Sequence, residues 1–211
     1  MTDYEQQLVE EAQTWLIDDP KKRAEKIQRE TIRHHKLVKD LLLDQLNTQN
    51  MFVLEVGGGP FPVSDLIPFK ERTVLDPLAT QYAEYFPCPN HIEGKIEDFP
   101  TFGKFDLVIS TNSLDHVEDF DKAMGKIIDL VVPGGFLAIM AAENNALTNP
   151  HPCHDINLTA DNIHYYCDSK FETVWELNYN KDGYRYGWAK YDGRRGQPAF
   201  AILLRNCEGY S

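Results

Sequence analysis

No run of ~18 consecutive apolar residues, the length of a membrane-spanning helix, occurs in the 211-residue sequence. Cysteine is scarce and scattered. Cys88, Cys153, Cys167 and Cys207 form no C-x-x-C pair, so neither a zinc ribbon nor a disulfide framework is suggested. Positive charge is also in short supply: 21 Lys and Arg stand against 33 Asp and Glu, for a formal net charge of −12. Such a surface repels phosphate backbones and anionic headgroups, so bulk nucleic acid and membranes are not expected partners. Met1-Thr2-Asp3-Tyr4-Glu5 lacks the basic and apolar regions of a signal peptide, and a cytoplasmic, reduced protein is the expectation. Internal repeats and low-complexity segments are absent, and nothing indicates an oligomer.

What is present reads as a folded chain able to bury its own core. Hydrophobic residues make up 42% and charged residues 26%, which excludes disordered and fibrous classes. Tyr4, Leu8, Val9, Ala12, Trp15 and Leu16 recur at helical spacing, until Asp19-Pro20 interrupts. A second helix is expected from about Lys21 to Asp44. Residues 1–50 therefore read as a helical cap on a domain spanning 51–211.

From Met51 the pattern becomes strand and helix in alternation. Met51–Val56, Arg72–Leu75, Phe105–Ser110 and Phe136–Ala141 are short apolar runs, and Thr80–Phe86 and Phe120–Val132 are helical between them. This alternation predicts a parallel sheet covered on both faces. Thr159–Tyr166 reads as a further helix. Phe171–Leu177 and Phe200–Arg205 follow with no helix between them, so they should pair antiparallel.

Leu54-Glu55-Val56-Gly57-Gly58-Gly59-Pro60 closes the first apolar run. Three glycines at a strand end permit a sharp turn and let a ligand lie against bare backbone, although ordinary turns use glycine too. Glu55 is an acid inside an apolar strand, which is costly unless it is hydrogen-bonded or paired. Thr73-Val74-Leu75-Asp76 ends in a carboxylate 17 positions after Gly59. An acid there is placed to accept hydrogen bonds from ribose hydroxyls. Asp76-Pro77 would also serve as a plain turn.

These segments resemble the class I S-adenosylmethionine-dependent methyltransferases. Gly94-Lys95-Ile96-Glu97-Asp98-Phe99-Pro100, Phe105-Asp106-Leu107-Val108-Ile109-Ser110 and Val132-Pro133-Gly134-Gly135-Phe136-Leu137 carry the likeness further. A nicotinamide-binding domain would want G-x-G-x-x-G/A, whereas Pro62 stands at the third glycine. The resemblance implies an α/β, Rossmann-like, doubly wound sheet, mostly parallel and seven-stranded, with an antiparallel last strand and added N-terminal helices. It implies S-adenosylmethionine as cofactor. Gly57, Gly58, Gly59 and Pro60 would lie beneath the methionine moiety, with Glu55 supporting its amino group. Asp76 and Pro77 would meet the ribose, Ile96 and Glu97 the adenine, and Asn112 and Ser113 the floor. Many members of that family carry an acid where this chain has Lys95, and that acid often reads the adenine amine, so either Glu97 or Asp98 takes over or this contact is missing.

The implied activity is methyl transfer to a small-molecule or glycan-like acceptor, at oxygen. An oxygen acceptor must lose a proton, and histidine is the natural base near neutral pH. His154, followed by Asp155, and His116, in Asn112-Ser113-Leu114-Asp115-His116, are the candidates, with His151 behind them. Each could equally be a loop histidine that caps a helix or faces solvent, and His164 reads as structural. His151, Cys153, His154 and Asp155 lie too close in sequence for all to meet one tetrahedral ion, so no metal is expected. Tyr179–Gln197 holds five basic residues against Asp182 and Asp192, along with Tyr179, Tyr184, Tyr186, Trp188 and Tyr191. It suits an anionic or aromatic acceptor, or a hairpin packed on itself. The competing reading is a non-catalytic nucleoside-binding protein of the same fold.

Overall fold

The computed structural model describes residues 2–30, 36–86, 90–100, 103–142, 156–178 and 199–208. Helix α1 spans Asp3–Trp15 and opens on a capping box. The Thr2 hydroxyl accepts from the Glu5 amide while the Glu5 carboxylate accepts from the Thr2 amide. Helix α2, Pro20–Glu30, starts at the proline that ends α1's continuation. Proline suits a first helical position, and Asp19 Oδ1 accepts from the amides of Lys21 and Lys22. The expected helix 21–44 is represented by α2 and by α3, Lys36–Gln45; its middle, 31–35, lies outside the described residues.

Seven strands form one sheet: β1 Phe52–Val56, β2 Glu71–Asp76, β3 His91–Glu93, β4 Phe105–Thr111, β5 Val131–Ala142, β6 Phe171–Asn178 and β7 Ala199–Asn206. Their order is β3-β2-β1-β4-β5-β7-β6. The first five pair in parallel, and β7 runs antiparallel to both β5 and β6. This is the expected Rossmann-like sheet, with β6 and β7 antiparallel as their direct succession requires. Helices α4 (Ala79–Ala83), α5 (Phe120–Leu130) and α6 (Ala160–Cys167) lie between strands. The α5 helix stops two residues before its expected end. Val131 already pairs with Phe105 as the start of β5, and Pro133 forbids further helix. Strand β3 carries no sequence signal, because three residues at an exposed edge are too few to show a period.

Alternation along each strand divides the core. Leu54, Val56, Leu75 and Val108 face the layer built by α5 and α6. Val53, Leu107, Ile109, Ala138 and Met140 face Val38, Leu42 and Leu46, from α3 and the residue after it. A third cluster joins α1 to α4 through Ala12, Leu78, Tyr82 and Phe86, with Trp15 and Phe61 packed against it. This last cluster places α1 across the carboxyl ends of β1 and β2. Because Leu42 is 3% exposed, Leu42→Ala should lower unfolding free energy by about 2–4 kcal/mol in urea titration.

Candidate functional site

Chain order reverses across β1, since β2 lies on one side of it and β4 on the other. In open α/β sheets a crevice forms at such a switch point. Here it is a cavity of about 490 Å³ at the carboxyl ends of β1, β2 and β4. Its walls bring together Gly57, Gly58, Gly59 and Pro60, then Asp76 and Pro77, Ile96 and Glu97, and Asn112, Ser113 and His116.

The glycine loop is shaped by one close approach. Gly57 adopts φ +67°, and a Cβ there would lie 2.2 Å from Ser113 Cβ. Ser113 can come so near because its hydroxyl donates to the Val56 carbonyl at 2.8 Å and also pairs with Ser110 Oγ at 2.7 Å. Gly57 must therefore lack a side chain for Ser113 to pack against it, whereas a Cβ at Gly59 would meet nothing within 4 Å. Asn112, next to Ser113, takes φ 49°, a left-handed conformation that asparagine tolerates.

Three buried carboxylates surround the loop, and each takes backbone amides. Asp76 Oδ2 accepts from Gly59 N at 2.9 Å and Oδ1 from Leu78 N at 2.8 Å. Burial raises its pKa above the usual carboxylate range, and Glu11 on α1 adds to the rise. Glu97 Oε1 accepts from the amides of Glu118 and Asp119, at 2.9 and 3.1 Å. Glu55 departs from its expected place. It does not line the cavity. Its two oxygens accept from Val63 N and Ser64 N, both at 2.8 Å, at the start of a 3-10 turn, Val63–Leu66. Alternation puts Glu55 on the Val53 face of β1, away from the cavity. Burial raises its pKa to about 7. It holds the loop that follows the glycines, with Arg72 paired to Asp65 of the same turn.

Residues that sequence reasoning left out complete the site. His91 Nε2 lies 3.1 Å from the Gly59 carbonyl and must donate, because a carbonyl only accepts. Helix α1 covers the cavity with Tyr4, Gln7, Leu8, Glu11, Thr14 and Trp15. The apolar spacing of 4, 8 and 15 is visible in the sequence, whereas Gln7, Glu11 and Thr14 carry no apolar signal. Val9, expected on the packed face, is 46% exposed. Lys95 pairs with Glu118 at 2.5 Å and stands 4.8 Å from the centre of the Tyr4 ring. Where an acid was anticipated, this lysine instead ties α1 to the rim.

His116 lines the cavity beside Asn112 and Ser113, with Nε2 3.7 Å from Asp115 Oδ1. His154, His151 and the Tyr179–Gln197 segment lie outside the described residues.

The profile of a family described as a methyltransferase domain matches residues 24–178. No curated protein matches the sequence. Among solved structures, the N-methyltransferase NodS from Bradyrhizobium japonicum WM9, in complex with S-adenosyl-L-homocysteine, is similar at a TM-score of 0.66 and 17% identity, covering 99% of this chain and 100% of that one. Burkholderia thailandensis 1,6-didemethyltoxoflavin-N1-methyltransferase is similar at 0.57 and 15%, covering 82% and 77%. The [4+2]-cyclase SpnF is similar at 0.60 and 15%, covering 82% and 80%. These structural likenesses establish a shared fold.

Two outcomes follow from the site's geometry. Gly57→Ala should destabilise the protein by about 2 kcal/mol or more, from overpacking and backbone strain together, read as a lowered urea midpoint. Glu55 holds its proton more tightly folded than unfolded, where its pKa is 4.5. Its contribution to stability is therefore full below pH ~4.5 and is lost as pH rises through ~7. Denaturant titrations from pH 4.5 to 8 should show Glu55→Gln with a flatter stability profile than the wild type.

Proposed function

The chain belongs to the methyltransferase-domain family, the class I S-adenosylmethionine-dependent methyltransferases, and we propose that it methylates a small-molecule acceptor at oxygen. The cofactor is S-adenosylmethionine. The observation that carries this reading is the cavity at the switch point, which gathers the glycine loop, Asp76, Glu97 and the Asn112–Ser113 floor.

The residues present fit that cofactor. Gly57 and Gly59, both at positive φ, leave bare backbone for the methionine moiety. Each Asp76 oxygen carries one backbone amide and keeps a second lone pair for a ribose hydroxyl. Glu97 uses Oε1 for both its amides, which leaves Oε2 for the adenine amine. Glu97 thus takes the role that Lys95, engaged with Glu118, does not. The cavity carboxylates favour a cationic ligand.

When bound, S-adenosylmethionine supplies an electrophilic methyl group on a sulfonium. The chain's part is to hold cofactor and acceptor in line, to exclude water with α1, and to move one proton. His116 takes the acceptor's hydroxyl proton, and Asp115 stabilises the imidazolium that results. His154 remains the second candidate for the base. Residues 1–50 cap the domain of 51–211, with α1 over the cavity and α3 over one face of the sheet. The net charge of −12 supports a small-molecule acceptor rather than a nucleic acid or a membrane. The basic, tyrosine-rich stretch of 179–197 supports an anionic or aromatic acceptor.

A nitrogen acceptor is the second reading, favoured by the two N-methyltransferases among the similar structures. The cyclase keeps a role without methyl transfer as a further alternative. Calorimetry should detect S-adenosylmethionine and its demethylated product, and Asp76→Ala should weaken both on the order of tenfold or more by loss of charge-assisted hydrogen bonds. With a methyl-labelled cofactor and a metabolite panel, His116→Ala should lower kcat about 10²-fold for a hydroxyl acceptor. Little change in kcat would point to His154 or to nitrogen. No affinity for either form of the cofactor would end the proposal.

A further inference from the structure

Helix α1 places a carboxylate over the cavity, opposite the acids of its floor. Glu11 lines the same space as Asp76 and Glu97. It is not a loose surface side chain: Trp15 Nε1 donates to Glu11 Oε1 at 2.6 Å, one turn along the helix. Its charge is felt across the cavity, where it disfavours the ionised form of Asp76. The cations at the rim are otherwise engaged. Lys95 is held by Glu118, and Lys26 donates to the Thr14 carbonyl and stands 3.8 Å from the centre of the Trp15 ring. His91 is turned to the Gly59 carbonyl and His116 to Asp115. Roof and floor therefore present like charges to each other across the space a ligand would fill.

Methyl transfer changes the charge of what fills that space. The sulfonium gives its methyl to the acceptor, the C–S bond's electron pair stays on sulfur, and the acceptor's proton leaves to the base. The thioether product carries one positive charge fewer than the cofactor. The sulfonium sulfur is bonded to C5′ of the ribose assigned to Asp76, so its charge lies beside Glu11 and Asp76 and relieves their repulsion, and a neutral thioether relieves it less. Resting on the cofactor assignment above, we infer that Glu11 is a specificity-determining residue that favours the cationic cofactor over its demethylated product. Completion of the reaction then weakens the hold of α1 on the nucleoside and favours product release.

The test measures affinities of S-adenosylmethionine and S-adenosylhomocysteine by calorimetry for three proteins. Glu11→Gln keeps the shape of the side chain and an oxygen to accept from Trp15. Glu10→Gln removes the same charge from the adjacent position, which does not line the cavity. For Glu11→Gln the expected result is a loss on the order of tenfold for the sulfonium form, consistent with a unit charge at an intermediate dielectric. The thioether form should change less than twofold, and Glu10→Gln should change neither. Equal losses for both forms, or no loss at all, overturn the inference and leave the cofactor assignment standing. Failure of the wild-type protein to bind either form overturns both. Gln7→Glu supplies a second arm should Glu11→Gln not fold. It adds a carboxylate to the same wall of the cavity and should raise the preference for the sulfonium form, and an unchanged or lowered preference overturns the inference.

Discussion

Gly57 and Ser113 meet at a separation that admits no Cβ, and the site is assembled around that meeting. The Ser113 hydroxyl bonds the last carbonyl of β1, so the loops after β1 and β4 are joined directly. With those loops joined, the glycine backbone lies flat along the cavity wall, and Gly59 presents its amide to Asp76 and its carbonyl to His91. Three parallel strands and the edge strand β3 are in this way coupled through one short loop. The close approach and the Gly59–Asp76 hydrogen bond together hold the loop against the ends of β1, β2 and β4.

Buried carboxylates are the second recurring device. Glu55, Asp76 and Glu97 each accept two backbone amides from a turn or loop. A buried acid satisfied by amides keeps much of its hydrogen bonding without a paired cation, and so remains available to attract one. Asp76 and Glu97 face the cavity. Glu55 faces the other side of the sheet and acts on shape alone, fixing the turn that follows the glycines.

Much of the fold was legible because central parallel strands are continuous apolar runs: β1, β2, β4 and β5 announce themselves in that way. The glycine loop that lines the cavity was legible as well, because the acid before it and the carboxylate after the next strand set three strand-end glycines apart from an ordinary turn. What escaped did so for physical reasons. Strand β3 is too short and too exposed to show a period. Glu55 could be recognised as an acid in need of donors, but the donors belong to a 3-10 turn that no sequence pattern marks. On α1, the residues that face the cavity are a mixture of apolar and polar, because the walls they meet are mixed as well. A hydrophobic-face reading picks out Leu8 and Trp15 and passes over Gln7, Glu11 and Thr14 beside them. Lys95 shows the limit of reading by resemblance: its departure from the family pattern was visible, but its attachment to Glu118 and Tyr4 was not.

The contacts that seat α1 also bear on the order in which the molecule assembles. Helix α1 meets partners far along the chain, as where Ala12 packs with Tyr82 and Phe86 and where Lys95 stands over the Tyr4 ring. Closing so large a loop is entropically unfavourable until the distant partner is already in place. The surface α1 rests on exists only once β1 and β2 have paired and α4 has docked. The cavity is accordingly an open trough until α1 seats. A folding chain can therefore be structured throughout its central strands while that trough still faces solvent.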